Sequence, residues 1–312
     1  MRSKPNQGLE FHYTLFRVCL LLGPFVPITL NPSIQTLNLR ENKIKTATSF
    51  VFYASLHYLD LSHNELFNIP SKCFESQKEL EELHLNNNRL SSLTNFTFVG
   101  LKSLKILNLR HNYLLDLPDR FFRHLTQLKE LDLGQNRISR IDPAAFENLA
   151  SLRVLYLHDN QLKSVPTLAF SQLGSLRLSE LNLSGAGLSN ISENALRGIA
   201  ALRNLVLTDN QLTAIQDGAL TGLPNLKELS LRANAFRSFS ESMVAWPELT
   251  KLDVSENPLV CDCSVLWLRD LLLRRNASHV RCTAPARVED RFLHALAPDE
   301  LGCALRSARQ QA

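Results

Sequence analysis

The sequence predicts an α/β solenoid: a curved horseshoe with a parallel β-sheet on its concave face and loops or short helical turns on its convex face. Three observations predict it. One short string recurs along most of the 312 residues. The apolar positions inside each copy alternate as in a strand with one face buried. An asparagine closes nearly every copy in phase, where the chain must turn.

The stretch 103–114, SLKILNLRHNYL, shows the unit, of the form L-x-x-L-x-L-x-x-N-x-L. Leu104, Leu107, Leu109 and Leu114 hold the apolar positions and Asn112 the polar one. A short amide at that place can bond to backbone groups that the turn would otherwise bury without partners. The series runs Asn42, Asn64, Asn88, Asn112, Asn136, Asn160, Ala186, Asn210, Asn234 and Asn257, in steps of 22, 24, 24, 24, 24, 26, 24, 24 and 23 residues. With this string and period, the chain resembles the leucine-rich repeat family over residues 34–259, ten repeats. Most repeats also carry an apolar residue six before their first leucine: Phe50, Phe74, Phe98, Phe122, Phe146, Leu196, Leu220 and Met243. Phe170 stands eight before Leu178, so the longer repeat takes its two extra residues there.

A single repeat cannot bury enough apolar surface to fold alone, and stacking on neighbours supplies the rest. Strands pack about 4.8 Å apart, while the bulkier backs must spread further. The sheet is therefore expected on the inside of the curve. The residues between the paired leucines, Asn38, Asp60, His84, Asn108, Asp132, Tyr156, Asn182, Val206, Ser230 and Asp253, then project from the concave face. So does the column from Arg40 through Arg110 and His158 to Ser255, and nothing in the repeat dictates either column. A broad polar wall suits a macromolecular partner better than a small molecule. Within it His84, Asn86, Arg110, His111, Tyr156, His158 and Asp159 are the candidate partner-binding residues, with Tyr156 and Arg110 of the types that anchor interfaces. The competing reading is that these are only solvated sheet residues. His84 and His158 stand three strands apart, too far at about 4.8 Å per strand to share a metal ion.

The seventh repeat, LSELNLSGAGLSNIS, sets Ala186 between Gly185 and Gly187. Its G-x-G lacks the third glycine and the crossover helix of a nucleotide loop, so a local kink or looser turn is expected. No H-E-x-x-H, G-x-S-x-G or phosphate loop occurs. No catalytic residue, metal site or cofactor is therefore assigned, and the chain is read as not an enzyme. The net charge of +4 is small for this length and both signs are interspersed, which argues against a nucleic-acid partner.

After the repeats come Cys261, Cys263, Cys282 and Cys303, with Trp267 and Leu268 behind the first pair. Residues 260–303 closely resemble the cysteine-rich C-terminal cap of extracellular leucine-rich repeat proteins. Four cysteines allow three pairings, and the resemblance implies Cys261–Cys282 and Cys263–Cys303. A helix over 264–275 with Trp267, Leu268, Leu271 and Leu272 inward would cover the open end of the solenoid. A zinc site is disfavoured because C-x-C departs from paired C-x-x-C ligands. Arg274, Arg275, Arg281, Arg287 and Arg291 give the cap a basic cast suited to weak heparan-sulfate binding. Residues 304–312 form a polar tail, with no stop-transfer helix or lipid-anchor signal.

Residues 1–33 are expected to be poorly ordered. The run Val18–Leu30 after Arg17 is too short and too broken by proline to span a membrane. It reads either as a secretory signal with a long polar lead or, the favoured alternative, as a truncated cap. Val26–Ile44 resembles the join between an N-terminal cysteine-rich cap and the first repeat, Cys19 being the last cap cysteine and the others missing. Cys73 is expected as a buried thiol on the convex side, a bridge to Cys19 remaining open. The sequons at Asn95, Asn182, Asn190 and Asn276 point to N-glycosylation, and a glycan at Asn182 would screen repeats seven and eight. The resemblance implies a secreted or surface-displayed module that binds an extracellular or cell-surface protein. The second reading is a matrix structural protein that binds collagen or glycosaminoglycan.

Overall fold

The computed structural model describes residues 14–15, 32–47, 50–171, 173, 177–275 and 279–303. Its main sheet has eleven parallel strands. Ten are contributed one per repeat, from Thr36–Asn38 in the first to Lys251–Asp253 in the tenth. The register never slips: Leu37, Leu59, Leu83 and Leu107 align across repeats one to four, and Leu131, Leu155, Leu181, Leu205, Leu229 and Leu252 continue the row. The central residue of nearly every strand is buried, as the two-residue period requires.

On the opposite side of the core the phenylalanines stack into a spine. Ring centroids are 5.7 Å apart for Phe50–Phe74, 6.0 Å for Phe98–Phe122 and 6.3 Å for both Phe122–Phe146 and Phe146–Phe170. Each step exceeds the strand spacing of about 4.8 Å. The back of each repeat is thus wider than its front, which wraps the sheet onto the concave side.

Each turn after a strand is locked by its asparagine. The Asn112 amide donates to the carbonyls of Leu109 in its own repeat and Leu85 in the preceding one, both at 3.0 Å. Its Oδ1 accepts from the Leu90 N–H at 3.0 Å. The pattern repeats at Asn64, Asn88, Asn136, Asn160, Asn210, Asn234 and Asn257. The residue just before each ladder asparagine is left-handed, with φ between 52° and 57° at Glu41, His63, Asn87, His111, Gln135, Asp159, Asp209, Ala233 and Glu256. Gly185 holds that place in repeat seven at φ +59.

The seventh repeat leaves the sheet in register. Its strand Glu180–Asn182 pairs in register on both sides, so the main sheet runs through without interruption. Ala186 has no amide to offer, and the Lys163 N–H takes its carbonyl instead, at 3.1 Å. A second short ladder beyond the turn joins Asp116–Leu117 with Arg140–Ile141 and Asn190–Ile191 with Ala214–Ile215, and the convex side of repeat six carries the helix Thr167–Ser171.

The segment 1–33, expected to lack order, contributes one strand: Thr14–Leu15 pairs with Thr36–Leu37 and covers the exposed edge of the first repeat. Cys19 lies outside the described residues, as do the tail 304–312 and Asn276. At the other end Cys261–Cys282 and Cys263–Cys303 are bridged. The cap helix is shorter than the sequence suggested, Leu266–Arg274, preceded by a 3-10 turn at Cys263–Val265. Asp262 accepts from the Ser264 N–H at 2.8 Å and tightens that turn. Val265, Leu268 and Leu272 are buried, whereas Trp267 and Leu271 are only half-buried. Trp267 meets the buried Trp246 of the last repeat at 5.3 Å between rings.

Replacing Asn136 with alanine removes donors to Leu109 and Leu133 and the acceptor for Leu114 N–H. A loss of about 3 kcal/mol is expected, read as a lower denaturant midpoint. Cys73 is buried outside the two disulfides, and burial pushes its thiol up to about 12. It is expected to resist maleimide labelling in the native protein and to react at once in denaturant.

Candidate functional site

The residues on either side of each central leucine both point to the concave face, so the wall has a column that the sequence reading passed over. This is the first strand residue: Tyr58, Glu82, Ile106, Glu130, Val154, Glu180, Asn204, Glu228 and Lys251. Extending the strand period one step towards the N-terminus would have found it.

The next column is less free than the sequence implied. Asn38, Asp60, Asn108, Asp132, Asn182 and Asp253 each accept, at 2.8 to 3.0 Å, the N–H two residues on. These side chains close the end of the strand and are dictated by the backbone, contrary to the expectation that nothing in the repeat chooses them. His84, Tyr156, Val206 and Ser230 stand in the same column without that bond. His84 and Tyr156 therefore remain as residues whose identity the fold does not explain.

Across repeats two to seven the two columns set Asp60, Glu82, Glu130, Asp132 and Glu180 on one wall. The chain as a whole carries +4, so this acidity is segregated. Burial holds the Glu130 carboxyl above its ordinary range, reinforced by Asp132 and Glu180. Asp132 is raised by burial too, with the Gly134 N–H, His158 and Arg110 opposing. Tyr156 is pushed up to about 12 by burial and by Glu180, and Tyr58 to about 12 by burial, Asp60 and Glu82. Two tyrosines thus stand half-buried among carboxylates, with His84 against Tyr58 at 5.3 Å between rings.

The other predicted residues do not converge on one cluster. Arg110 reaches Gln135 at 3.1 Å on the lip. Asn86 is half-buried, its carbonyl accepting from the His63 N–H at 3.0 Å. His111 lies on that edge, its Nδ1 2.6 Å from Asn87 Oδ1, and Asn87 continues to His63 Nε2 at 3.3 Å. His158 folds its ring over Gly134, where any Cβ would collide with it. It sits 6.2 Å from Tyr156. The Asp159 carboxylate packs against Gly185 in the same manner. Both are thus committed to neighbouring glycines, a pairing between repeats that no single repeat reveals.

The cap arginines are largely spent on the cap. Arg275 donates to Trp246 O at 2.7 Å, Arg281 lies over Phe292 and donates to Asp290 O, Arg287 donates to Glu300 O, and Arg291 pairs with Glu300. Of the described sequon asparagines, Asn190 is exposed and Asn95 half-buried. Asn182 is half-buried on the concave wall, its Oδ1 accepting from the Ser184 N–H and hydroxyl. Among the described residues no helix is long and apolar enough to cross a membrane.

A leucine rich repeat family model matches residues 54–114, 102–162, 151–212 and 200–259. The chain belongs to the leucine-rich repeat family, and its disulfide-bonded cap places it with the extracellular members. Mouse Tsukushi is 36% identical over 92 residues, which are 28% of this chain and 26% of Tsukushi, so the match spans about a quarter of that relative. Among solved structures, human 5T4 (trophoblast glycoprotein) superimposes with a TM-score of 0.63 at 22% identity over 86% of this chain and 94% of that one, a likeness of fold. The mouse RP105/MD-1 complex contains a chain with a TM-score of 0.71 at 25% identity, covering 88% of this chain and 52% of that one.

Carboxyls raised by folding favour the native state only while protonated: that contribution is present below their unfolded values and is lost as pH rises through the folded ones. Asp132→Asn keeps the acceptor for Gly134 N–H and deletes the charge. It should melt higher than the parent at pH 7, with the gap closing towards pH 4 in thermal scans.

Proposed function

We propose that this chain is a non-enzymatic extracellular module, secreted or surface-displayed, that binds a protein partner through the concave wall of repeats two to six, the partner presenting a basic surface. The observation that carries the reading is the wall itself. It gathers carboxylates that folding alone disfavours, Glu130 and Asp132 above all, around the half-buried Tyr58 and Tyr156. Lysines or arginines of a partner would relieve that repulsion, and the tyrosines supply rigid, amphipathic contact area. The stacked repeats preform the surface, which lowers the ordering cost of association. Complementary charge speeds encounter and sets specificity more than it adds affinity.

Of the residues singled out in the sequence, Tyr156 and His84 belong to this contact and Arg110 and Asn86 to its rim. His158 and Asp159 position their neighbours, and His111 lies at the turn edge. A glycan at Asn182 would bound the contact on the side of repeats seven and eight.

The test is capture from a cell-surface proteome by the glycosylated chain. Tyr156→Ala and Glu130→Lys should each weaken the captured interaction at least tenfold, about 1.4 kcal/mol. Arg137→Ala on the turn edge should leave it within twofold. Retention of the partner by both wall variants would exclude the concave face.

A further inference from the structure

A set of exposed cations on this protein is paired with carboxylates. Arg40 with Glu41, Lys72 with Glu75, Arg120 with Glu147, Arg140 with Asp116, Arg232 with Glu256 and Lys251 with Glu228 all lie within 4.0 Å. Other cations fall into a single row along the sheet. The residue that precedes each repeat strand sits on the lateral lip of the sheet, on the side away from the asparagine turns. From repeat four to repeat nine this position reads Lys105, Lys129, Arg153, Ser179, Arg203 and Lys227. Lys105 is held by Glu81 at 2.6 Å and Lys227 by Glu248 at 3.5 Å. Between these ends Lys129, Arg153 and Arg203 are exposed and make no ion pair among the described residues, Glu81 reaching Lys129 only through its longer-range field.

The in-register sheet turns these residues into a line. Five strand steps at about 4.8 Å make it about 24 Å long, with a cation at every step but the one at Ser179. Like charges stacked on neighbouring strands repel one another, and no acidic residue occupies the lip position from repeat four to repeat nine. The glutamates of the next column, Glu130, Glu180 and Glu228, lie one residue along the chain. They face the inner wall, because successive side chains of a strand point to opposite sides.

We propose that this lip is a second binding site, for a linear sulfated polysaccharide of the extracellular space. A row of cations along the sheet edge matches a polymer that repeats its anionic groups along its length, and the guanidinium forks of Arg153 and Arg203 suit oxyanions. A globular acidic protein would meet the repulsion of the glutamate wall beside the row, whereas a thin chain lies along the lip without entering the concave face. The site is separate from the acidic wall, so the chain can hold a polysaccharide and a basic protein at once.

The test uses the full glycosylated chain and a heparin octasaccharide, with hyaluronan of equal length as the carboxylated, unsulfated comparison. Lys129→Ser, Arg153→Ser and Arg203→Ser together should weaken octasaccharide binding at least tenfold and flatten its salt dependence. A charge-matched control, Arg89→Ser, Arg137→Ser and Arg197→Ser, should change it less than twofold. Thermal melting verifies that each variant is folded. Equal losses in both sets would mean a net-charge effect, and hyaluronan binding as tightly as the octasaccharide would mean no sulfate site; either overturns the proposal, as does an unaffected lip variant. Partner capture by the lip variant is expected to persist, so failure here and failure of the concave-wall reading are told apart.

Discussion

Most of this fold leans on a buried amide that eight of the ten repeats carry. A strand that turns away from a parallel sheet leaves carbonyls pointing into an apolar core, and the asparagine side chain meets them on both sides of the junction between repeats. Because one donor group serves two repeats, the amide couples neighbours as well as closing its own turn. It also explains a conformational uniformity that composition would not suggest. Glu, Gln and Ala adopt the left-handed region beside it as readily as Asn, Asp and His, although that region ordinarily disfavours them. The turn is over-determined by the bonds on either side, and the residue that occupies it simply follows.

Once register is locked, chemistry is sorted by column. Side chains one residue apart along a strand go to opposite sides, while side chains one repeat apart become neighbours about 4.8 Å away. A local run such as KEL, at 129–131, therefore sends a cation to the lip, a carboxylate to the inner wall and a leucine to the core. Repeated along the chain, this sorting produces a cationic rail beside an acidic wall in a molecule whose formal charge is only +4. The curvature imposed by the phenylalanine spine presents that wall as a concave surface suited to another macromolecule.

The seventh repeat shows how the arrangement tolerates a fault. Ala186 removes one coupling amide, yet the main sheet continues in register because its backbone pairing is intact on both sides. Gly185 then serves two ends: it accepts the left-handed turn and leaves room for the Asp159 carboxylate.

The sequence by itself determined the repeat, its period, the buried leucines and phenylalanines, and which side of the sheet carries the polar columns, because each of these follows from a periodicity of two within a strand and of about 24 between strands. It pointed to Tyr156 and His84 for the same reason. What it could not decide was which polar side chains are spoken for. Asn108 and Asp132 bond their own backbone, His158 and Asp159 lie over glycines 24 and 26 residues away, and four of five cap arginines serve the cap. Those commitments depend on distances between repeats and on groups brought together only by the cap's closure. Tertiary structure alone therefore decided which residues are left free to bind.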